Sequence, residues 1–139
     1  MGVAIRLRRE HLDAMVAHAL EDAPVECCGI LGGSNATVTT LRRAKNIENS
    51  PYRFRIDPLE TARIERAFDQ EGTEILGFYH SHTGSDPIPS PTDIRSMGPL
   101  FGPPFVHFVI GVADRDNPIA RAWYIEDGDR IEQEYELLD

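Results

Sequence analysis

Two histidines and an acid that follows them have the residue types and spacing best suited to chemistry. Residues 75–79 are apolar apart from one glycine, which predicts a strand that runs directly into His80 and His82. Side chains at positions i and i+2 of a strand point to the same face, so the two imidazoles are directed at one point. After a loop, Ser90-Pro91-Thr92-Asp93 has the pattern of a helix start, with a serine cap, an early proline and an acid in the first turn. From that turn the Asp93 carboxylate can reach back to the histidines.

Two imidazoles and one carboxylate form the ligand set of a catalytic zinc site. Such a set leaves a fourth tetrahedral position for water, whereas structural sites are closed by four protein ligands. Zinc held by His80, His82 and Asp93 would lower the pKa of that water toward about 7 and polarise a substrate carbonyl. The chemistry indicated is hydrolysis by a metal-activated water, and a base is still needed to take the proton of that water. Iron accepts the same ligands and stays open beside zinc.

Each of these residues also fits a purely structural role. Ser90 could be only a helix N-cap and Asp93 only the acid of a capping box, in which case Asp86 of the loop could be the ligand instead. Taken singly, the structural interpretations are the more common ones. The metal site is favoured because the whole set occurs together in a matching strand–loop–helix context.

The same positions resemble the signature of the JAMM (MPN-plus) metallopeptidases. His80-Ser81-His82, seven residues, Ser90, two residues and Asp93 match its spacing, and the family also has an upstream Glu in a Glu-x-Cys-Gly context, supplied here by Glu26. The resemblance implies that His80, His82 and Asp93 bind the metal. It also implies that Glu26 is the catalytic base and that Ser90 donates a hydrogen bond to the oxyanion. Glu26 lies 54 residues before His80, so it is the resemblance and not the spacing that brings it to the site.

The resemblance also implies a function and a fold. The function is that of a zinc-dependent isopeptidase or peptidase that cleaves an amide after the C-terminal Gly-Gly of a ubiquitin-like or sulfur-carrier protein, with cysteine as one product in sulfur assimilation. The alternative is a non-catalytic MPN interaction module without metal, which would lack the ligand set. The implied fold is a single-domain α/β/α sandwich over residues 1–139, a deaminase-like MPN/JAMM fold in which a curved mixed sheet lies between helices at 9–22 and 57–71. The pattern of elements alone predicts only a mixed α/β domain.

The sequence lacks the motifs of several other classes of enzyme. The His-x-Glu and Pro-Cys-x-x-Cys of nucleobase deaminases are absent, and so are Gly-x-Ser-x-Gly and a phosphate-binding loop. Cys27 and Cys28 could suggest a thiol nucleophile, but cysteines inside an apolar strand are more often inert core residues.

The amino-acid composition indicates which partners and which cellular compartment to expect. A chain of 139 residues with 41% hydrophobic and 27% charged residues is ordinary for one globular domain. The net charge of −9 argues against nucleic acid as a partner. No apolar run has the length of a membrane span or a signal peptide, and two adjacent cysteines cannot cross-link a fold, so a cytoplasmic location is expected. A homodimer stays open.

The remaining predictions concern secondary structure and single residues. Strands are expected at 3–7, 27–33, 36–43, 52–56, 75–82 and 105–112, with a terminal hairpin of 120–125 and 130–137, and a short helix is expected to end near residue 97. His11 and His18 lie off the apolar stripe of the first helix, which favours solvated side chains. His107 and Trp123 are expected in the core.

Overall fold

The computed structural model describes residues 2–139, and within them the chain forms eight strands and three helices. The strands are β1 (Ile5–Leu7), β2 (Cys28–Ser34), β3 (Thr37–Ala44), β4 (Glu74–His82), β5 (Val106–Gly111), β6 (Ile119–Glu126), β7 (Asp129–Gln133) and β8 (Tyr135–Leu137). The helices are α1 (Arg9–Asp22), α2 (Pro58–Gln70) and α3 (Pro91–Met97). The three predicted helices and most of the predicted strands are confirmed.

All eight strands belong to one mixed sheet of order β7-β6-β5-β4-β2-β3-β1-β8. Strand β4 lies near the middle, antiparallel to β2 and parallel to β5. Strands β7 and β8 lie at opposite edges although only Glu134 separates them in the chain. The sheet must therefore curl until its two edges approach each other.

A helix packs on each face of the sheet, as the resemblance implied. On one face α1 contributes Met15 and Ala19 to a core that also includes Phe108. On the other face Phe68 of α2 packs against the sheet residue Phe78. Helix α1 begins after Arg8 without a side-chain cap. Helix α2 begins with a stronger signal, because the Asp57 side chain accepts a hydrogen bond from the Leu59 amide at 2.9 Å. Among the described residues, no helix is both long and apolar enough to cross a membrane.

The prediction of a strand at residues 52–56 is wrong. The segment alternates as expected, with buried Phe54 between exposed Arg53 and Arg55, but within residues 2–139 it joins no strand of the sheet. It is held instead by the loop before it, where the Ile47 amide donates to the Arg55 carbonyl at 3.0 Å. Alternation reports that one face is buried, and burial does not require strand pairing.

The prediction of one continuous strand at 130–137 is also wrong. Residues 129–133 form the hairpin with β6, whereas β8 crosses to the other edge and pairs in parallel with β1, where Tyr135 lies opposite Ile5. The turn between β6 and β7 is made by Asp127 and Gly128, which both have positive φ, 54° and 75°. That conformation suits the tight hairpin turns for which Asp-Gly is favoured.

Among the single residues, His18 departs from its prediction. It is buried, with Nδ1 2.7 Å from the Tyr79 hydroxyl and Nε2 3.2 Å from the Asp22 carboxylate, because the last turns of α1 face the sheet. His11 is half-buried rather than fully solvated. His107 is in the core as predicted, where it donates to the Phe101 carbonyl at 2.8 Å, and burial lowers its pKa to about 4.

Candidate metal centre

The two histidines leave β4 on the same face of the sheet, as their spacing predicted. His80 and His82 are each 4% exposed, and their Nε2 atoms lie 3.2 Å apart. The residues between and before them, Ser81 and Tyr79, point to the opposite face, where Tyr79 joins the α1 core and Ser81 accepts a hydrogen bond from the Cys27 amide. The imidazole pair therefore lies on the α2 side of the sheet.

Asp93 reaches this pair from the first turn of α3. Ser90 Oγ accepts from the Asp93 amide at 3.1 Å, and Asp93 Oδ2 accepts from the Ser90 amide at 2.9 Å, which completes a capping box. The same Oδ2 lies 3.0 Å from His80 Nε2 and 3.2 Å from His82 Nε2. Burial favours the neutral acid, but the imidazoles and the Ser90 amide outweigh it and hold the pKa of Asp93 well below its usual range. The structural and the metal-binding interpretations of Asp93 are thus compatible.

The three atoms fit a tetrahedral metal ion. Their separations of 3.0, 3.2 and 3.2 Å are close to the spacing of about 3.3 Å between ligands that lie 2.0–2.1 Å from zinc. His82 Nδ1 donates to the Asp86 carbonyl at 2.7 Å, which fixes the tautomer that leaves Nε2 free for a metal. Asp86 therefore meets the site through its main chain, while its side chain is exposed. The ring of Phe54 stacks on His80, with ring centroids 4.3 Å apart and planes 21° apart.

Glu26 reaches the site through the pairing of β2 with β4. Cys28 lies opposite His80, and the Ser81 amide donates to the Cys27 carbonyl, so the antiparallel register continues and sets Glu26 opposite His82. Glu26, His80 and His82 each offer a ligand atom, and these atoms lie within 4.8 Å of one another.

The Glu26 carboxylate is buried and lacks a full set of partners. The residue is 3% exposed, and its Oε1 has no hydrogen-bond partner within residues 2–139. Burial raises the pKa of Glu26 to about 8, although the neighbouring His82 acts in the opposite direction. Its main chain is fixed on both sides, because the amide donates to the Ser50 carbonyl and the carbonyl accepts from the Asn46 side chain. An unpartnered acid beside an imidazole pair is suited to proton transfer or to contact with a cation.

Two cavities lie beside the centre. A cleft of about 480 Å³ lies over Glu26, His82 and Ser90, with the 83% exposed Tyr52 at its rim. An apolar groove of about 350 Å³ is lined by Phe54, whose ring stacks on His80, and its other walls include Ile56, Phe78, Met97 and Phe101.

Two parts of this centre were not predicted from the sequence. The alternation of residues 52–56 put Phe54 on a buried face, but nothing in the sequence indicated its contact with His80. Asn46, which fixes Glu26, carries no signal beyond being a polar residue in a loop. Both cysteines are buried in the core, and burial raises the pKa of Cys27 to about 12 and that of Cys28 further still, which disfavours the nucleophilic thiolate.

Comparison with known proteins identifies the family of the chain. The sequence matches the family described as prokaryotic homologs of the JAB domain over residues 8–126. It is 38% identical over 96 residues to the desampylase of Haloferax volcanii, a match that covers 64% of this chain and 69% of that protein. It is 32% identical over 136 residues to the CysO-cysteine peptidase of Mycobacterium tuberculosis, which covers 96% of this chain and 90% of the relative. The solution structure of a Desulfitobacterium hafniense protein superposes with a TM-score of 0.85 at 29% identity and covers 97% of this chain and 93% of that one. The chain therefore belongs to the prokaryotic JAB-domain family, the bacterial-type branch of the JAMM/MPN fold that its histidine–serine–aspartate signature resembled.

Proposed function

We propose that the protein is a zinc-dependent isopeptidase or peptidase that cleaves the amide bond after the C-terminal Gly-Gly of a ubiquitin-like or sulfur-carrier protein. The observation that carries this proposal is the meeting of two imidazole nitrogens and one carboxylate oxygen at 3.0–3.2 Å, beside a second, buried and unpartnered carboxylate. The names of the relatives, desampylase and CysO-cysteine peptidase, support a peptidase that acts on a protein conjugate.

In this proposal His80, His82 and Asp93 hold the zinc ion. Asp93 is preferred to Glu26 as the third ligand because its Oδ2 lies within 3.2 Å of both imidazole nitrogens, whereas the group that includes Glu26 spans up to 4.8 Å. Bound at this position, zinc supplies a Lewis acid for the substrate carbonyl and lowers the pKa of water toward about 7. The capping box keeps the Asp93 oxygen in place, so the ligand geometry is set by the fold before any ion arrives.

Glu26 is the general base and later the general acid. Its Oε1 has no other partner among the described residues and is therefore available to take a proton from the attacking water and deliver it to the leaving amine. The pKa of about 8 applies to the metal-free site, and a cation bound beside the carboxylate lowers it. The group can then gain and lose a proton near neutral pH, which is the range that proton transfer needs.

Ser90 donates to the oxyanion that develops on the substrate carbonyl. Its Oγ accepts a hydrogen bond from the Asp93 amide, and a hydroxyl that accepts one bond still has its own O–H to donate. Ser90 also lines the cleft over Glu26. The cap and the oxyanion contact are therefore compatible roles.

The carrier tail lies along residues 52–56 in this proposal. The segment is extended but outside the sheet, and the main-chain carbonyls of Arg53 and Arg55 face Asn46 and Ile47. Because main-chain groups alternate in direction along an extended segment, those of Phe54 face the other way, toward the place where an incoming strand could add.

The test uses a carrier protein ending in Gly-Gly whose terminal carboxyl is joined by an amide to cysteine or to a lysine side chain. We expect zinc-loaded protein to release the amine, and Glu26→Gln to lower kcat by roughly 10²–10⁴-fold. A variant that cleaves as fast as the parent would show that Glu26 is not the base. Zinc content near zero after metal-replete growth would favour the metal-free interaction module instead.

A further inference from the structure

The loop of residues 83–90 joins the ligand His82 to Ser90, and it has little structure of its own. Pro87 and Pro89 lie in the loop and Pro91 directly follows it, and each of them lacks the amide proton that regular pairing needs. Among the described residues, the main-chain hydrogen bond inside the loop runs from the Ile88 amide to the Asp86 carbonyl. Its shape must therefore be fixed mainly by groups outside the loop.

Three carbonyls of this loop accept hydrogen bonds from side chains. His82 Nδ1 donates to the Asp86 carbonyl at 2.7 Å. Trp123 Nε1 donates to the Pro87 carbonyl at 3.1 Å, and Arg130 Nη1 donates to the Pro89 carbonyl at 3.0 Å. The last two donors come from β6 and β7, so the edge hairpin of the sheet holds a loop of the metal centre.

The Trp123 donor is itself supported by a side chain of the hairpin, Arg121. The guanidinium of Arg121 lies 4.8 Å from the centre of the Trp123 ring and forms two hydrogen bonds, of 2.8 and 2.7 Å, with Glu132 of β7. Below the loop, a side chain at Gly111 would lie 3.0–3.3 Å from the ring of Pro87. The loop thus packs against Gly111 of β5 and is hydrogen-bonded to side chains of β6 and β7.

We propose that Arg130, together with Trp123, is a positioning residue for the reaction and acts through Ser90. Pro89, whose carbonyl Arg130 holds, directly precedes Ser90 in the chain. A shift of Pro89 displaces the Ser90 hydroxyl from the place where it caps α3 and where it meets the oxyanion. The inference rests on the proposed function, and neither Arg130 nor Trp123 lines the cleft.

The kinetic test compares variants of the zinc-loaded protein. We expect Arg130→Ala to lower kcat about three- to tenfold with little change in KM, which is the effect of one partly exposed hydrogen bond. Arg130→Lys, which keeps a donor, should recover part of the loss. In a Ser90→Ala background Arg130→Ala should have no further effect, because the two residues act in series. Ile131→Ala, an exposed position on the same strand, is the matched control and should cleave like the parent.

A second readout does not need activity. Trp123 is the only tryptophan of the chain, is 5% exposed and is bonded to the loop, so a change at the loop contact can be followed by fluorescence without a signal from a second tryptophan. Arg130→Ala should make Trp123 more accessible to acrylamide quenching, while Ile131→Ala should not.

The outcomes separate the two proposals. A parent protein that cleaves no carrier amide would refute the proposed function. The quenching experiment would then still test whether Arg130 holds the loop against the hairpin. Unchanged quenching or unchanged kcat in Arg130→Ala would overturn the positioning role. An equal loss of kcat in the Ser90→Ala background would show that Arg130 does not act through Ser90.

Discussion

Replacing Glu26 by glutamine should flatten the pH dependence of stability in the metal-free protein. Burial raises the pKa of Glu26 from its ordinary 4.5 to about 8. Below pH 4.5 the folded and unfolded chains both keep the proton, so this group leaves the free energy of unfolding unchanged. Between pH 4.5 and about 8 the unfolded chain loses the proton while the folded chain keeps it, so stability falls as the pH rises. At about 1.36 kcal/mol for each pH unit, the full loss is of the order of 5 kcal/mol.

The assay is urea unfolding of chelator-treated protein at several pH values between about 5 and 8. Glu26→Gln keeps the size of the side chain and removes its ionisation. Added zinc should reduce the pH slope of the parent, because a neighbouring cation favours the carboxylate. Parallel pH profiles for parent and variant without metal would refute the conclusion that burial keeps Glu26 neutral.

Three further predictions concern Asp93, the two cysteines and Tyr79. Asp93→Asn keeps an acceptor for the cap but loses the anionic ligand, so competition with a chelator should show zinc affinity reduced by at least about tenfold, and parent-like affinity would contradict the ligand assignment. Native protein should resist alkylation at Cys27 and Cys28, because burial raises the pKa of both thiols, and rapid labelling in a mass spectrum would count against inert core cysteines. Tyr79→Phe should lower the free energy of unfolding by about 1–3 kcal/mol in chemical denaturation, because it leaves buried His18 without its 2.7 Å partner.

The parts of the centre that depend on local spacing could be predicted from the sequence. The i, i+2 relation on a strand placed His80 and His82 on one face, and the cap pattern at residues 90–93 located the start of α3. Both signals act within one element, so no long-range contact is needed to interpret them. Glu26 could be assigned only by family resemblance, because the register of β2 against β4 brings it opposite His82.

The parts that failed depend on partners distant in the sequence. Residues 52–56 have the alternation of a half-buried strand, yet their buried residue packs on a histidine ring rather than in a paired strand. Residues 130–137 were predicted as one continuous strand. The last three of them instead form β8, which pairs with the free edge of β1. His18 looked solvated because helical periodicity identifies the apolar stripe and gives no indication that Tyr79 would accept a polar neighbour.

The two edge strands of the curled sheet, β7 and β8, protect the protein against self-association. An open β-sheet edge is a template on which further chains can assemble into aggregates, and proteins protect such edges with short strands and charged side chains. Here one rim is the three-residue β8 with Glu136, and the other is β7, which exposes Asp129, Arg130 and Glu132. Concentrated solutions should therefore resist fibril formation through these two rims.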